Sequence, residues 1–117
     1  MTEVMIRGKL PSLNEYIEAE RRNRFIAAKI KKETDQIIMW QISHMKPITS
    51  KVRIRFTWYE ETRRRDPDNV RFATKFILDA MQKCGKLKND NPAWIDGFED
   101  VYIYGHGQGV KLEITEV

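Results

Sequence analysis

An α+β domain, a small mixed β-sheet with two main helices packed on it, follows from three features of the chain. Residues 51–60 (KVRIRFTWYE) alternate Val52, Ile54, Phe56 and Trp58 against Lys51, Arg53, Arg55 and Thr57. That period of two marks a strand with one face in a core and one basic face. Two stretches, about 13–44 and 69–84, carry apolar residues at spacings of three and four, the helical period. Short strand-like segments stand at both ends, so the order β, long α, β, α, β, β argues for helices laid on one sheet. With 117 residues and no repeat, low-complexity stretch or linker, residues 1–117 form a single domain.

Residues 3–10 (EVMIRGKL) alternate around Val4 and Ile6 and read as a short strand. Ser12, with Glu15 three residues on, is a capping box that opens the first helix. Tyr16, Ala19, Ile26, Ala27, Ile30, Ile37, Ile38, Trp40 and Ile42 give that helix an imperfect stripe. The polar run 18–24 predicts a bend, an exposed turn or a loop inside it. Pro47 and Ser50 punctuate a loop before the strand at 51–60. Asn69 or Asp68 is placed to cap the next helix, and Gly85 to end it. Its apolar positions are Val70, Ala73, Phe76, Ile77, Ala80, Met81 and Cys84. Residues 86–100 are polar, anchored by Trp94, Ile95 and Phe98. Strands at 101–104 and 110–117 then join across a glycine-rich turn, plausibly as a hairpin. Trp40, Trp58 and Trp94 are assigned to the core or an interface.

No run approaches the 18 or so apolar residues of a membrane span, and the N-terminus lacks the apolar region of a signal peptide. The one cysteine, Cys84, has no internal partner and fits a reducing cytoplasm. The net charge of +4 is mild, but its distribution is uneven. Basic clusters at 21–24, 29–32 and 63–65 flank a carboxylate centre, an arrangement suited to an enzyme acting on a polyanion, or equally to a solvated helix face.

The centre is Arg63-Arg64-Arg65-Asp66-Pro67-Asp68-Asn69. Pro67 restricts its own φ and pushes Asp66 to an extended conformation. In an extended segment, alternate side chains share a side, so Asp66 and Asp68 are expected to converge on one cation. The same run is also an ordinary turn ending in a helix cap. His44 and His106 lack partner spacing for zinc.

Asp-x-Asp-Asn opening a helix, then Lys75-Phe76-Ile77-Leu78-Asp79-Ala80-Met81, Gly85 and an acid beyond it, resembles the RusA-type Holliday-junction resolvases. The opening 8–16 (GKLPSLNEY) is similar to that family's N-terminal pattern, so the resemblance covers nearly the whole chain. It implies a homodimer that binds four-way DNA junctions and makes paired symmetric nicks with Mg²⁺, Mn²⁺ being a possible substitute. The family's metal-ligand aspartates map onto Asp66, Asp68 and Asp90, and its catalytic lysine onto Lys75 when counted back from Asp79. Counted forward from Asn69, the lysine position falls on Phe72; an added helical turn keeps the facing, which favours Lys75. Asn89 stands where the family often has a second acid. Arg63, Arg64, Arg65, Arg21, Arg22 and Arg24 are the expected phosphate contacts. Three alternatives stay open: Lys75 and Asp79 as a surface ion pair, a branched-DNA-binding module without chemistry, and a structural Ca²⁺ site at the aspartates.

Overall fold

The computed structural model describes residues 1–117, and its element order is β, α, α, β, α, α, β, β. Strand β1 (Thr2–Arg7) is followed by helices α1 (Leu13–Arg22) and α2 (Arg24–Ile42), then β2 (Val52–Glu60). Helices α3 (Pro67–Arg71) and α4 (Thr74–Lys83) precede β3 (Ile95–Tyr104) and β4 (Gly109–Glu116). The four strands form one mixed sheet in the order β1-β4-β2-β3. Strand β4 runs antiparallel to both β1 and β2, while β3 runs parallel to β2.

Alternation sorts the sheet into two faces. Val4 and Ile6, Val110, Leu112 and Ile114, and Val52, Ile54, Phe56 and Trp58 all turn to one side. There they meet Ile38 and Ile42 of α2 and Phe76, Ile77, Ala80 and Met81 of α4 in one continuous core. The helices therefore cover one face, as the patterning predicts. The opposite face carries Arg7, Arg53, Arg55, Lys111, Glu99 and Glu113. It is mixed in charge, because Arg53 pairs with Asp96 at 3.1 Å and the acidic residues of β3 and β4 lie beside the β2 arginines.

The Ser12 half of the capping box forms, Ser12 Oγ accepting from the Glu15 N–H at 3.3 Å, while the Glu15 carboxylate turns to Arg65 and Lys9. The expected bend in the long helical stretch is a single residue. Asn23 takes an extended conformation (φ −170°, ψ 126°), and its N–H donates to the Ala19 carbonyl, closing α1. Its side-chain oxygen accepts from the Phe25 N–H at 2.7 Å, opening α2. The second helical stretch also divides. Val70, Phe72 and Ala73 stay right-handed, but Ala73 N–H bonds to Val70 O and Lys75 N–H to Phe72 O, three-residue closures that tighten the chain between α3 and α4. This turn aims Phe72 at Tyr16 of α1, with Phe76 completing an aromatic trio at centroid separations of 5.5–5.9 Å.

Several expectations are corrected. Asp66, not Asp68 or Asn69, occupies the N-cap position of the helix after the arginines, without a side-chain capping bond, and Pro67 occupies its first turn. Strand β3 begins at Ile95, well before residue 101. Strands β3 and β4 do not form a hairpin, because β2 lies between them. Their connection arches over the end of β2, where Gly105 (φ +82°) donates to the Glu60 carbonyl at 2.9 Å. Only part of the predicted α2 stripe reaches the core. Ala27, Ile38 and Ile42 are buried, whereas Ile26, Ile37 and Trp40 (80% exposed) point to water. Trp58 is buried and Trp94 packs at the core's margin. In place of an apolar residue, α2 buries Asp35, which pairs with Lys83 of α4 and with Lys31. Asp79 of α4 bonds to the same Lys31 at 3.1 Å, so the Lys75–Asp79 ion pair does not form.

Candidate functional site

Strand β2 delivers the chain to the arginine–aspartate loop, and the alternation that buries Trp58 also turns Glu60 inward, to 5% exposure. A buried carboxylate needs a partner. Arg65 supplies it, its Nε and Nη2 donating to the two Glu60 oxygens at 2.7 and 2.8 Å. Arg65 Nη1 also donates to the Leu10 carbonyl, and the Gln108 amide donates to Glu60. Burial alone would raise the Glu60 carboxyl, but the Arg65 and Gln108 bonds outweigh it and hold it below the usual range. The Arg65 guanidinium is raised in turn: burial opposes its charge, and the Glu60 bond more than compensates. Arg65 is thus a structural clamp, its guanidinium engaged by Glu60 and the Leu10 carbonyl where a phosphate contact was expected. Arg63 and Arg64 are exposed, and Arg63 lies 4.4 Å from the centroid of the Tyr104 ring.

The clamp fixes where the aspartates emerge. Asp66 is extended (φ −68°, ψ 148°), as the following proline requires, and its backbone carbonyl accepts from Val70. Its side chain makes no capping bond, so the carboxylate is exposed and free. Asp68 lies in the first turn of α3 and is exposed as well. The chain is helical from Pro67 onward, so the same-side argument for an extended segment does not apply past Asp66. Both residues nevertheless belong to one helix entrance, Asp66 at the N-cap position and Asp68 in the first turn, where the amide dipoles favour negative charge.

Asp90 is elsewhere. It follows α4 and precedes Ile95, which pairs with Val52 at the start of β2. Asp66 follows Glu60 at the other end of that strand, whose two ends lie about 26 Å apart at ~3.3 Å per residue. The expected gathering of Asp66, Asp68 and Asp90 is therefore not made within one copy, and no three His, Cys, Asp or Glu side chains cluster at metal-binding distance. Lys75 is exposed on α4.

The acid beside α3 is one that sequence reasoning missed. Across the sheet, Val4, Leu112, Phe56 and Asp100 form one row, so Asp100 sits where an edge continues the apolar face. Trp58 Nε1 donates to one of its oxygens at 2.8 Å and Arg71 Nε to the other at 3.1 Å. Two residues on, the Tyr102 hydroxyl donates to the Pro67 carbonyl at 3.1 Å, tying β3 to α3. Burial first, and then the negative charges of Asp100 and Asp68, raise the Tyr102 hydroxyl pKa against the opposing Arg71. The period of two in 95–104 held the signal: Phe98, Asp100 and Tyr102 share the helix-facing side.

Oxygen donors suit a hard divalent ion, and Mg²⁺ characteristically takes only one or two protein carboxylates and fills its remaining positions with water and phosphate oxygens. The free, exposed pair Asp66 and Asp68 fits that requirement. No helix is long and apolar enough to cross a membrane. Compared with protein-family models and with curated proteins, the chain matches none.

Proposed function

We propose that the protein is a metal-dependent endodeoxyribonuclease of the RusA type, acting on four-way DNA junctions as a homodimer. The observation that carries this reading is the pair of unengaged carboxylates, Asp66 and Asp68, at a helix entrance directly after the exposed Arg63 and Arg64. Asp66 and Asp68 would hold Mg²⁺ or Mn²⁺, which when bound lowers the pKa of water and neutralises charge on the phosphate. Arg63 and Arg64 would dock the backbone without reading sequence. Arg71, held by Asp100, would offer a further cation to the phosphate, and Lys75 lies farther along the helical segment. Two symmetric nicks require two such sites related by a two-fold axis, hence the homodimer.

Incubating the protein with a synthetic junction and Mg²⁺ or Mn²⁺ tests the proposal. Paired nicks are expected, falling roughly 100-fold or more in Asp66→Asn and in Asp68→Asn, the scale of losing one contact to developing charge. Asp90→Asn should keep its activity; loss there would mean that a second copy delivers Asp90. Absence of cleavage with every divalent ion would overturn the assignment. A second reading, a branched-DNA-binding module without chemistry, is favoured by the separation of Asp90 from the other two acids. It predicts junction binding in EDTA that survives Asp66→Asn and weakens steeply with salt.

A further inference from the structure

The positive charge of this protein is concentrated at one corner. Residues 18–32 hold six Lys or Arg against two Glu, an excess of four that equals the net charge of the entire chain. Lys31 turns inward to Asp79 and Asp35, leaving Arg21, Arg22, Arg24, Lys29 and Lys32 around the α1–α2 joint. Arg22 and Lys29 meet Glu18 and Glu33 at 3.3 and 3.8 Å, but these exposed pairs are weak and leave both cations available to a polyanion. The first turn of α2 contains no acidic residue.

An aromatic ring stands in the middle of this charge. The extended Asn23 breaks the helix and caps the next one, setting Phe25 at the outer corner with 69% of its surface in water. The Arg24 guanidinium lies 5.2 Å from its ring centroid. Phe25, Lys29 and Lys32 recur at i, i+4 and i+7 and so share one side of α2. A protein-docking patch is depleted of charge at its centre, whereas this ring carries the Arg24 guanidinium and shares its helix side with Lys29 and Lys32. Exposed aromatics within a basic surface are the arrangement by which proteins stack unpaired bases while holding the adjoining phosphates.

We infer that the α1–α2 corner is a contact site for unstacked bases, with Phe25 stacking on a base and Arg21, Arg22, Arg24, Lys29 and Lys32 neutralising the flanking phosphates. The inference rests on the nucleic-acid reading above and adds what it lacks, a residue that distinguishes a branch point from a continuous duplex. Uniform phosphate contacts bind both alike, while a stacking residue gains only where a base is free to leave its neighbours.

The test is binding in EDTA to a synthetic four-way junction, a single strand and a linear duplex of equal length. The parent protein should prefer the junction and the single strand to the duplex. Phe25→Ala should lose roughly 5- to 150-fold on the junction and single strand and little on the duplex. Phe25→Trp should retain the preference, and Arg24→Ala should weaken all three and lower the salt dependence. Because Phe25 is exposed, an unchanged melting curve for Phe25→Ala will confirm an intact fold. Equal binding of all three DNAs by Phe25→Ala and parent, with junction binding preserved, would overturn this inference alone. Failure of the parent to bind any DNA would overturn it together with the proposed function.

Discussion

Glu60 and Arg65 show how one side chain converts a strand into a positioned loop. Glu60 is buried at the end of β2, and its charge is tolerated only because Arg65 and Gln108 satisfy it. Removing one partner of a buried pair leaves an uncompensated charge, so Arg65→Ala should cost about 3–5 kcal/mol, measurable as a lower urea midpoint. The pH dependence follows in sign. With the Glu60 carboxyl held low in the fold, the unfolded chain takes up its proton first as pH drops below about 4.3. The stability contributed by Glu60 is therefore present above that value and lost as pH falls through the depressed folded pKa. In Arg65→Ala, burial is opposed only by Gln108 and the more distant charge of Lys9, and the acid limb should move to higher pH. The three consecutive arginines looked equivalent in the sequence. Extending the alternation of Val52, Ile54, Phe56 and Trp58 by one step would have turned Glu60 inward and singled out its partner, whereas the choice of Arg65 over Arg63 depends on loop geometry that no periodicity encodes.

At the level of elements, the joints carry the proposed contact residues and the helices hold them. Asn23 ends one helix and begins another with a single side chain, and substituting an N-cap asparagine by alanine typically costs about 1 kcal/mol. Asn23→Ala should lower the melting temperature by several degrees and blur the corner that carries Phe25, which hydrogen exchange at Phe25 and Ile26 would detect. Gly85 closes α4 with φ +75° while the Lys86 N–H bonds back to the Met81 carbonyl at 2.8 Å. Gly85→Ala should cost about 1 kcal/mol through the left-handed conformation alone. The capping box at Ser12, the polar interruption before Asn23 and the glycine stop were all legible, because each is a local hydrogen-bonding device. The tightening between α3 and α4 was not, since Phe72 and Ala73 remain right-handed and apolar spacing does not register a three-residue turn. Nor could spacing tell which of two apolar stripes on α2 faces the sheet. The buried Asp35 on the inward face pairs with Lys83 across the helix interface, a contact between residues far apart in sequence.

For the molecule as a whole, sheet order decides which acids can meet. Parallel pairing of β3 with β2 sends residue 90 to the beginning of the strand and Asp100 to its middle, within reach of Arg71 in α3. That pairing was hidden from the sequence because a short glycine-rich connection ordinarily signals a hairpin. Strand β4 fills the gap instead, pairing Thr2 with Ile114 on one side and Phe56 with Leu112 on the other. A chain ending at Tyr104 should lose cooperative melting and its dispersed amide spectrum, since β1 would have no neighbour and the core would lack Val110, Leu112 and Ile114. A cooperative transition in that truncation would contradict the sheet order. The same arrangement governs how the protein is born. Strand β1 is synthesised about a hundred residues before β4, the strand that joins it to β2, so its pairing has to wait until residues 109–116 have been translated.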